Sequence, residues 1–460
     1  MGLAVAASFG PFEATASSDI VLKAAPATVD LVGGKWPPTA VWAYGGTVPG
    51  PLIRAPQGSR LRVRAQNGLG EPTTVHWHGI RLPHAMDGVP YLTQPPIEAG
   101  GTFDYAFDLP DAGTYWYHPH VRSSEQVGRG LYGAIIVDEP NPPKVDKDIL
   151  WVLDDWRLDQ SAAITNDFGH GMDLSHAGRF GNTVTINGKV TGDTPLMTPR
   201  AGERIRLRLL NTANARTFAL TFENTDVRVI ALDGHPVTPH TPFGGRIVLG
   251  SGQRAELILD ISAKPGERTR VIDNYFARDT YLLGEIVLSQ RSPVRTSALD
   301  APVALTPNPL AEPDIKNAKT HDISLDGGAM GRMTNAIYKG REVGVMELMR
   351  AGKAWTINGV AADRPDMDPF LTLEKGQSHI LRLHNNTGWP HPIHMHGVAF
   401  RLLSLNGKPH PHKPWLDTIF FEPGDRAEVA LVADNPGDWL FHCHILEHHQ
   451  AGMAGVIRIA

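Results

Sequence analysis

One ten-residue frame occurs three times in this 460-residue chain. The copies are GSRLRVRAQN at 58–67, GERIRLRLLN at 202–211 and GQSHILRLHN at 376–385. Each opens on a turn glycine, alternates side chains along a strand and closes on an asparagine nine positions later. The copies start 144 and 174 residues apart, too far for a solenoid unit, so the repeat is the size of a domain. The second and third copies are each preceded by a TING turn, at Asn187-Gly188 and Asn358-Gly359. Each copy also ends on a similar run: GAIIV at 133–137, GEIVL at 284–288 and GVIRI at 455–459.

With 47 glycines and 37 prolines punctuating short aliphatic runs, this reads as all-β sandwich architecture. The length agrees, at roughly 150 residues per domain. Boundaries are expected near 141 and within the Pro-rich stretch near 291–315, giving domains at 1–141, 142–295 and 296–460. Such a chain can bury its cores without disulfides, and its single cysteine, Cys443, excludes an internal one. A net charge of −5 with dispersed basic residues points away from a nucleic-acid or membrane-surface partner. No run of about 20 apolar residues could form a spanning helix. The small, apolar stretch from Met1 to Ser8 lacks a basic lead and reads as the start of a mature periplasmic or secreted chain.

The 21 histidines gain meaning from the repeat. Nine and eleven residues past the repeat asparagine stand His76 and His78 in the first copy, His394 and His396 in the third, and Leu220 and Phe222 in the second. Five and seven residues past a second repeat glycine stand His118 and His120 (after Gly113) and His442 and His444 (after Gly437). Residues i and i+2 of a strand share a face, so each pair presents two imidazoles side by side. Two such faces brought together make an eight-histidine cavity across a pseudo-twofold interface, suited to zinc, copper, iron or nickel. In the third copy Cys443 replaces Pro119 and must point to the other face, and His391, His448 and Met453 stand where the first copy has Thr73, Ser124 and Arg129. Cys, two His and a weak Met ligand form the blue-copper electron-transfer set. The other histidines read as packing or surface residues, with His410 and His412 exposed after the Asn406-Gly407 turn. Met330, Met333, Met346 and Met349 read as core filler in preference to a soft cuprous-ion site.

The motifs HWHG (76–79), HPH (118–120), HPIHMHG (391–397) and HCHILEHHQAGM (442–453) strongly resemble those of the multicopper oxidases, and among them the bacterial three-domain laccases. The resemblance spans essentially the whole chain and implies three cupredoxin-like Greek-key domains in series and four copper ions. By position it assigns a type 1 copper to His391, Cys443 and His448 with axial Met453, and a type 2 copper to His76 and His394. It assigns one type 3 copper to His78, His118 and His444 and the other to His120, His396 and His442. It implies that a monomer oxidises small phenolic or aromatic donors and reduces dioxygen to water, with Cys443 as the electron route. Asp87 resembles the acid that delivers protons near the oxygen site, although Asp-Gly is also a common turn pair. Where several relatives carry a second acid, this chain has His449, with Glu447 a weak substitute. Trp415 and Asp417 are placed near the type 1 site by family position alone. A cuprous or ferrous metallo-oxidase is the nearest rival, disfavoured by the lack of a long Met-rich insert. A copper-free scaffold is disfavoured by the complete ligand set, and a copper nitrite reductase by the second set of paired histidines.

Overall fold

The structure, a computed structural model, describes residues 20–460 except 193, 296, 298, 299, 303, 365 and 366. The N-terminal run at 1–8 therefore lies outside the described residues. Strands dominate, and the described α-helices are short, five or six residues each. The fold is all-β, with three cupredoxin-like units in series. The first pairs a sheet built on Arg60–Asn67 with one that holds Gly113–His118 and His76–His78. The second packs a seven-stranded sheet on a four-stranded one, and the third packs seven strands on five.

The repeated frame is explained atom by atom. In all three copies the strand starts two residues after the glycine and ends on the asparagine. The glycines, at φ of 79°, 80° and 78°, hold left-handed turns that a β-carbon would strain. The asparagines are buried strand-end clamps. Oδ1 of Asn67, Asn211 and Asn385 accepts the backbone N–H two residues on, at 2.9, 3.0 and 3.0 Å. Nδ2 of each donates to two carbonyls, one from the loop just beyond and one from a distant segment. Each clamp so fixes the loop that leads to the next strand, which bears the paired histidines in the first and third units only.

Position within the molecule changes what the alternating arginines do. Arg62 and Arg64 of the first copy are exposed, whereas Arg206 and Arg208 of the middle copy are 1% and 0% exposed. Buried, they are paired: Arg206 with Glu139 and Glu256, and Arg208 with Asp148 and Glu256. Glu256 also accepts from Thr114 of the first unit, at 2.7 Å. The middle unit has its own apolar core, but a single cluster joins apolar side chains of the first and third units. That shared core holds the two histidine-bearing faces together. No strand is described between Val287 and Lys319, yet the stretch is pinned, since Asn308 exchanges hydrogen bonds of 2.9 Å with Ala112.

Candidate metal centres

Strand pairing sets His76 opposite His118 and His394 opposite His442. The two units then meet face to face, with the imidazoles of His76 and His396 stacked at 3.8 Å and those of His78 and His394 at 3.7 Å. The eight paired histidines form one buried cluster, at most 6% exposed. Burial, together with their mutual repulsion, lowers the imidazole pKa of His78, His118, His120, His394, His396, His442 and His444. Neutral imidazole is the form that binds a metal.

Seven of the eight rings are anchored by one nitrogen; five of these leave the other free, while Nε2 of His396 and Nε2 of His442 face each other at 3.1 Å. Nδ1 of His76 is held by the Asp87 carbonyl at 2.8 Å and Nδ1 of His394 by the Asp417 carbonyl at 2.9 Å. Nδ1 of His118 donates to the Pro119 carbonyl and Nδ1 of His442 to the Cys443 carbonyl. Nδ1 of His444 is fixed by Ser251 Oγ, and His78 is anchored through Nε2 by the Asp417 carboxylate. The opposite atoms, Nε2 of His76, His118, His394 and His444 and Nδ1 of His78, are buried without a hydrogen-bond partner, as are both nitrogens of His120. Burying so many unpaired polar atoms is costly. A cluster of metal ions would pair them, so the donor set fits the copper that these motifs imply. Anchoring the second ring nitrogen is the usual way a protein orients a metal-binding histidine.

On the opposite face of the strand Gly437–Cys443, the Cys443 thiol lies 3.4 Å from His391 Nδ1 and 3.6 Å from His448 Nδ1, and those nitrogens are 3.1 Å apart. All three groups are 0% exposed, as is Met453. Burial pushes the thiol pKa well up, so a metal is needed to hold the thiolate here. Nε2 of His391 is anchored by Thr387 Oγ1 at 2.8 Å and Nε2 of His448 by the His176 carbonyl at 2.5 Å.

Asp87 closes the turn His84–Met86 with its backbone and turns its side chain inward. It is 1% exposed, with its carboxylate 2.8 Å from His396 Nδ1 and 3.2 Å from His76 Nδ1. Burial favours its neutral form, but His396 and His76 outweigh that and hold it well below the usual carboxylate range. His449 sits at the rim of the cavity, its ring 4.5 Å from that of His442 and 5.6 Å from that of His120. Glu447 faces the other way and accepts from Arg179 N and Asn214 Nδ2 of the middle unit.

Three expectations are corrected. Asp417 does not stand beside the group formed by His391, Cys443 and His448. The strand that begins just after it pairs Thr418 with His394 and Phe421 with His391, so the antiparallel register carries Trp415 and Asp417 to the opposite end, and the Asp417 carboxylate meets His78 and His394 at 3.0 and 3.3 Å. Met330, Met346 and Met349 are not core filler: they are 77%, 62% and 51% exposed, because the turn after Lys319–Gly327 that carries Met330 and the helix Val345–Arg350 that carries the other two lie on the surface. Only Met333 packs on a small apolar cluster. His410 and His412 are half-buried, because His412 packs on His240 of the middle unit at 3.9 Å.

The repeat arithmetic missed the middle unit's share in this site. Arg254 is fully buried, donates to the Thr114 carbonyl of the first unit and grips the Asp417 carboxylate of the third. The backbone N–H of Thr418 donates to Asp233, which also caps the Arg254 N–H. Beside Asp417, burial raises the Asp233 carboxyl to about 7. An arginine at the head of the largely apolar strand RAELILD was the available signal.

Multicopper oxidase family models match residues 26–142, 147–281 and 342–460. A multicopper oxidase of Mycobacterium tuberculosis is 31% identical, over 93% of this chain and 84% of its own length. The crystal structure of a multi-copper oxidase from Pseudomonas thermotolerans is 36% identical and superposes with a TM-score of 0.82, covering 97% of this chain and all of the other. A multicopper oxidase from Campylobacter jejuni, described as a metallo-oxidase, is 27% identical with a TM-score of 0.77, over 95% of this chain and 90% of its own.

Proposed function

The chain belongs to the multicopper oxidase family, and we propose that it is a laccase-type member that takes single electrons from phenols and aromatic amines and reduces dioxygen to water. It would hold four copper ions: type 1 on His391, Cys443 and His448 with axial Met453, and type 2 on His76 and His394. The type 3 pair would be held by His78, His118 and His444 and by His120, His396 and His442. When bound, these ions supply one-electron acceptance and enough stored electrons to reduce dioxygen without releasing peroxide.

One observation carries the reading. The Cys443 thiol faces His391 and His448, while the imidazoles of its chain neighbours His442 and His444 lie in the eight-histidine cluster. A single strand thus connects the two centres covalently. Asp87, between His396 and His76, supports a role in handing protons to the oxygen site. An axial methionine favours a modest type 1 potential, hence electron-rich donors. The chain is read as a periplasmic or secreted monomer, which fractionation and sedimentation would check. Among the described residues no helix is long and apolar enough to cross a membrane.

A second reading rests on the exposed methionines. Met330, Met346 and Met349 offer soft thioethers to solvent, the ligand type that selects cuprous ion, and this favours a cuprous metallo-oxidase. Oxygen uptake by the copper-loaded enzyme decides between the two. A laccase has a higher kcat/KM for a methoxyphenol than for Cu(I), and replacing Met346 and Met349 by Ala leaves the phenol value unchanged. A higher kcat/KM for Cu(I), lowered by those replacements, establishes the second reading.

A further inference from the structure

In this chain the outer edge of the type 1 histidine is covered by the middle unit. His448 is 0% exposed, and its Nε2 donates to the backbone carbonyl of His176 at 2.5 Å. His176 ends a short strap, the helix Gly171–Ser175 and the residue after it. The strap is latched to the third unit at two carbonyls. Trp355 Nε1 donates to Leu174 O at 2.6 Å, and the Ala329 N–H donates to Ser175 O at 2.7 Å. Its other side is fastened by Asp173 on Arg157, at 2.8 and 3.0 Å. Trp389 donates to Ala329 O and lays its ring 5.4 Å from that of His176. The surface above His448 is therefore the partly exposed His176 and Trp389 beside the exposed Met330.

We propose that one-electron donors dock on this His176–Trp389–Met330 surface and deliver their electron across the His176 peptide and its hydrogen bond to His448, with no donor atom touching His448. The proposal deepens the laccase reading and rests on it. With Nδ1 turned to the type 1 site and the Nε2 hydrogen committed to a carbonyl, His448 has no lone pair left to accept a proton from a phenol. The donor loses one electron, type 1 Cu(II) is reduced to Cu(I), and a phenol's proton goes to water as the oxidised radical leaves. A phenol then gains nothing from its hydroxyl. Flat electron-rich aromatics and small inorganic reductants are accepted according to their potential and their fit to the surface.

The test uses the copper-loaded full chain. Carbethoxylation with diethyl pyrocarbonate, read by peptide mass spectrometry, is expected to modify His176 and to leave His448 unmodified; equal modification of the two overturns the proposal. Anaerobic bleaching of the blue absorption by hydroquinone and by ferrocyanide is then followed in the His176→Ala and Trp389→Phe variants. Both variants are expected to slow bleaching about fivefold or more with the absorption maximum unmoved. Unchanged rates with both donors overturn the strap proposal while leaving the laccase reading intact. A copper-loaded wild-type chain without a blue band would instead sink that reading itself.

Discussion

At the scale of single residues, the site is defined by which polar atom lacks a partner. Asp87 touches two ligand-bearing rings, and Asp87→Asn keeps its size while removing its charge. Turnover is expected to fall tenfold or more, about 1.4 kcal/mol or more in barrier, while anaerobic bleaching of the type 1 absorption keeps its rate; unchanged oxygen uptake would sink the role. Asp154 makes a different kind of prediction. It is 6% exposed, accepts from Tyr132 Oη at 2.5 Å, and is held well above the usual carboxylate range by burial and by Asp155. A carboxyl raised on folding contributes stability below its unfolded pKa and loses it as pH rises toward the folded value. Asp154→Asn does not titrate, so its Tm relative to the parent should improve from pH 4 to pH 8. A difference that stays constant across that range refutes the assignment.

At the scale of elements, the strand-end asparagine unites the three units. Its three buried hydrogen bonds are worth about 1 kcal/mol each in net stability, so Asn211→Ala and Asn385→Ala should destabilise to a similar degree. Their spectra should differ. Asn385 Oδ1 also holds Thr387 Oγ1, which anchors His391 at 2.8 Å, whereas Asn211 leads to the copper-free middle strand. The blue absorption should shift in Asn385→Ala and stay in place in Asn211→Ala. A common response in both would show that the clamp acts only through general stability.

At the scale of the molecule, the middle unit supplies no paired histidine but joins the other two around the cluster. Arg254 binds Thr114 of one neighbour and Asp417 of the other. Arg254→Met leaves the Asp417 carboxylate buried and unpaired beside His78 and His394, at a cost of about 3–5 kcal/mol. The expected outcome is loss of the type 2 signal in electron paramagnetic resonance with the type 1 signal retained; retention of both would mean that Asp417 orients its histidines unaided. Removing copper by chelation should lower Tm, because the ligands come from two units and metal bound only to the folded state adds to its stability. Calorimetry with and without copper checks this, and coincident transitions would contradict it.

Sequence periodicity by itself determined the strands, their repeat and the faces that the paired histidines share, because a strand alternates its side chains whatever surrounds it. It also determined that Cys443 must face away from His442 and His444. It could not decide which alternating residues meet solvent. Arg64 and Arg208 occupy the same place in the frame, yet one is exposed and the other is buried against Asp148 and Glu256. Nor could it decide which end of its strand Asp417 serves, how exposed the methionines are, or that a middle-unit strap covers His448. Those are matters of register and of contact between units, set by segments from a few dozen to a few hundred residues apart. A local pattern in the chain holds no information about them until the units pack.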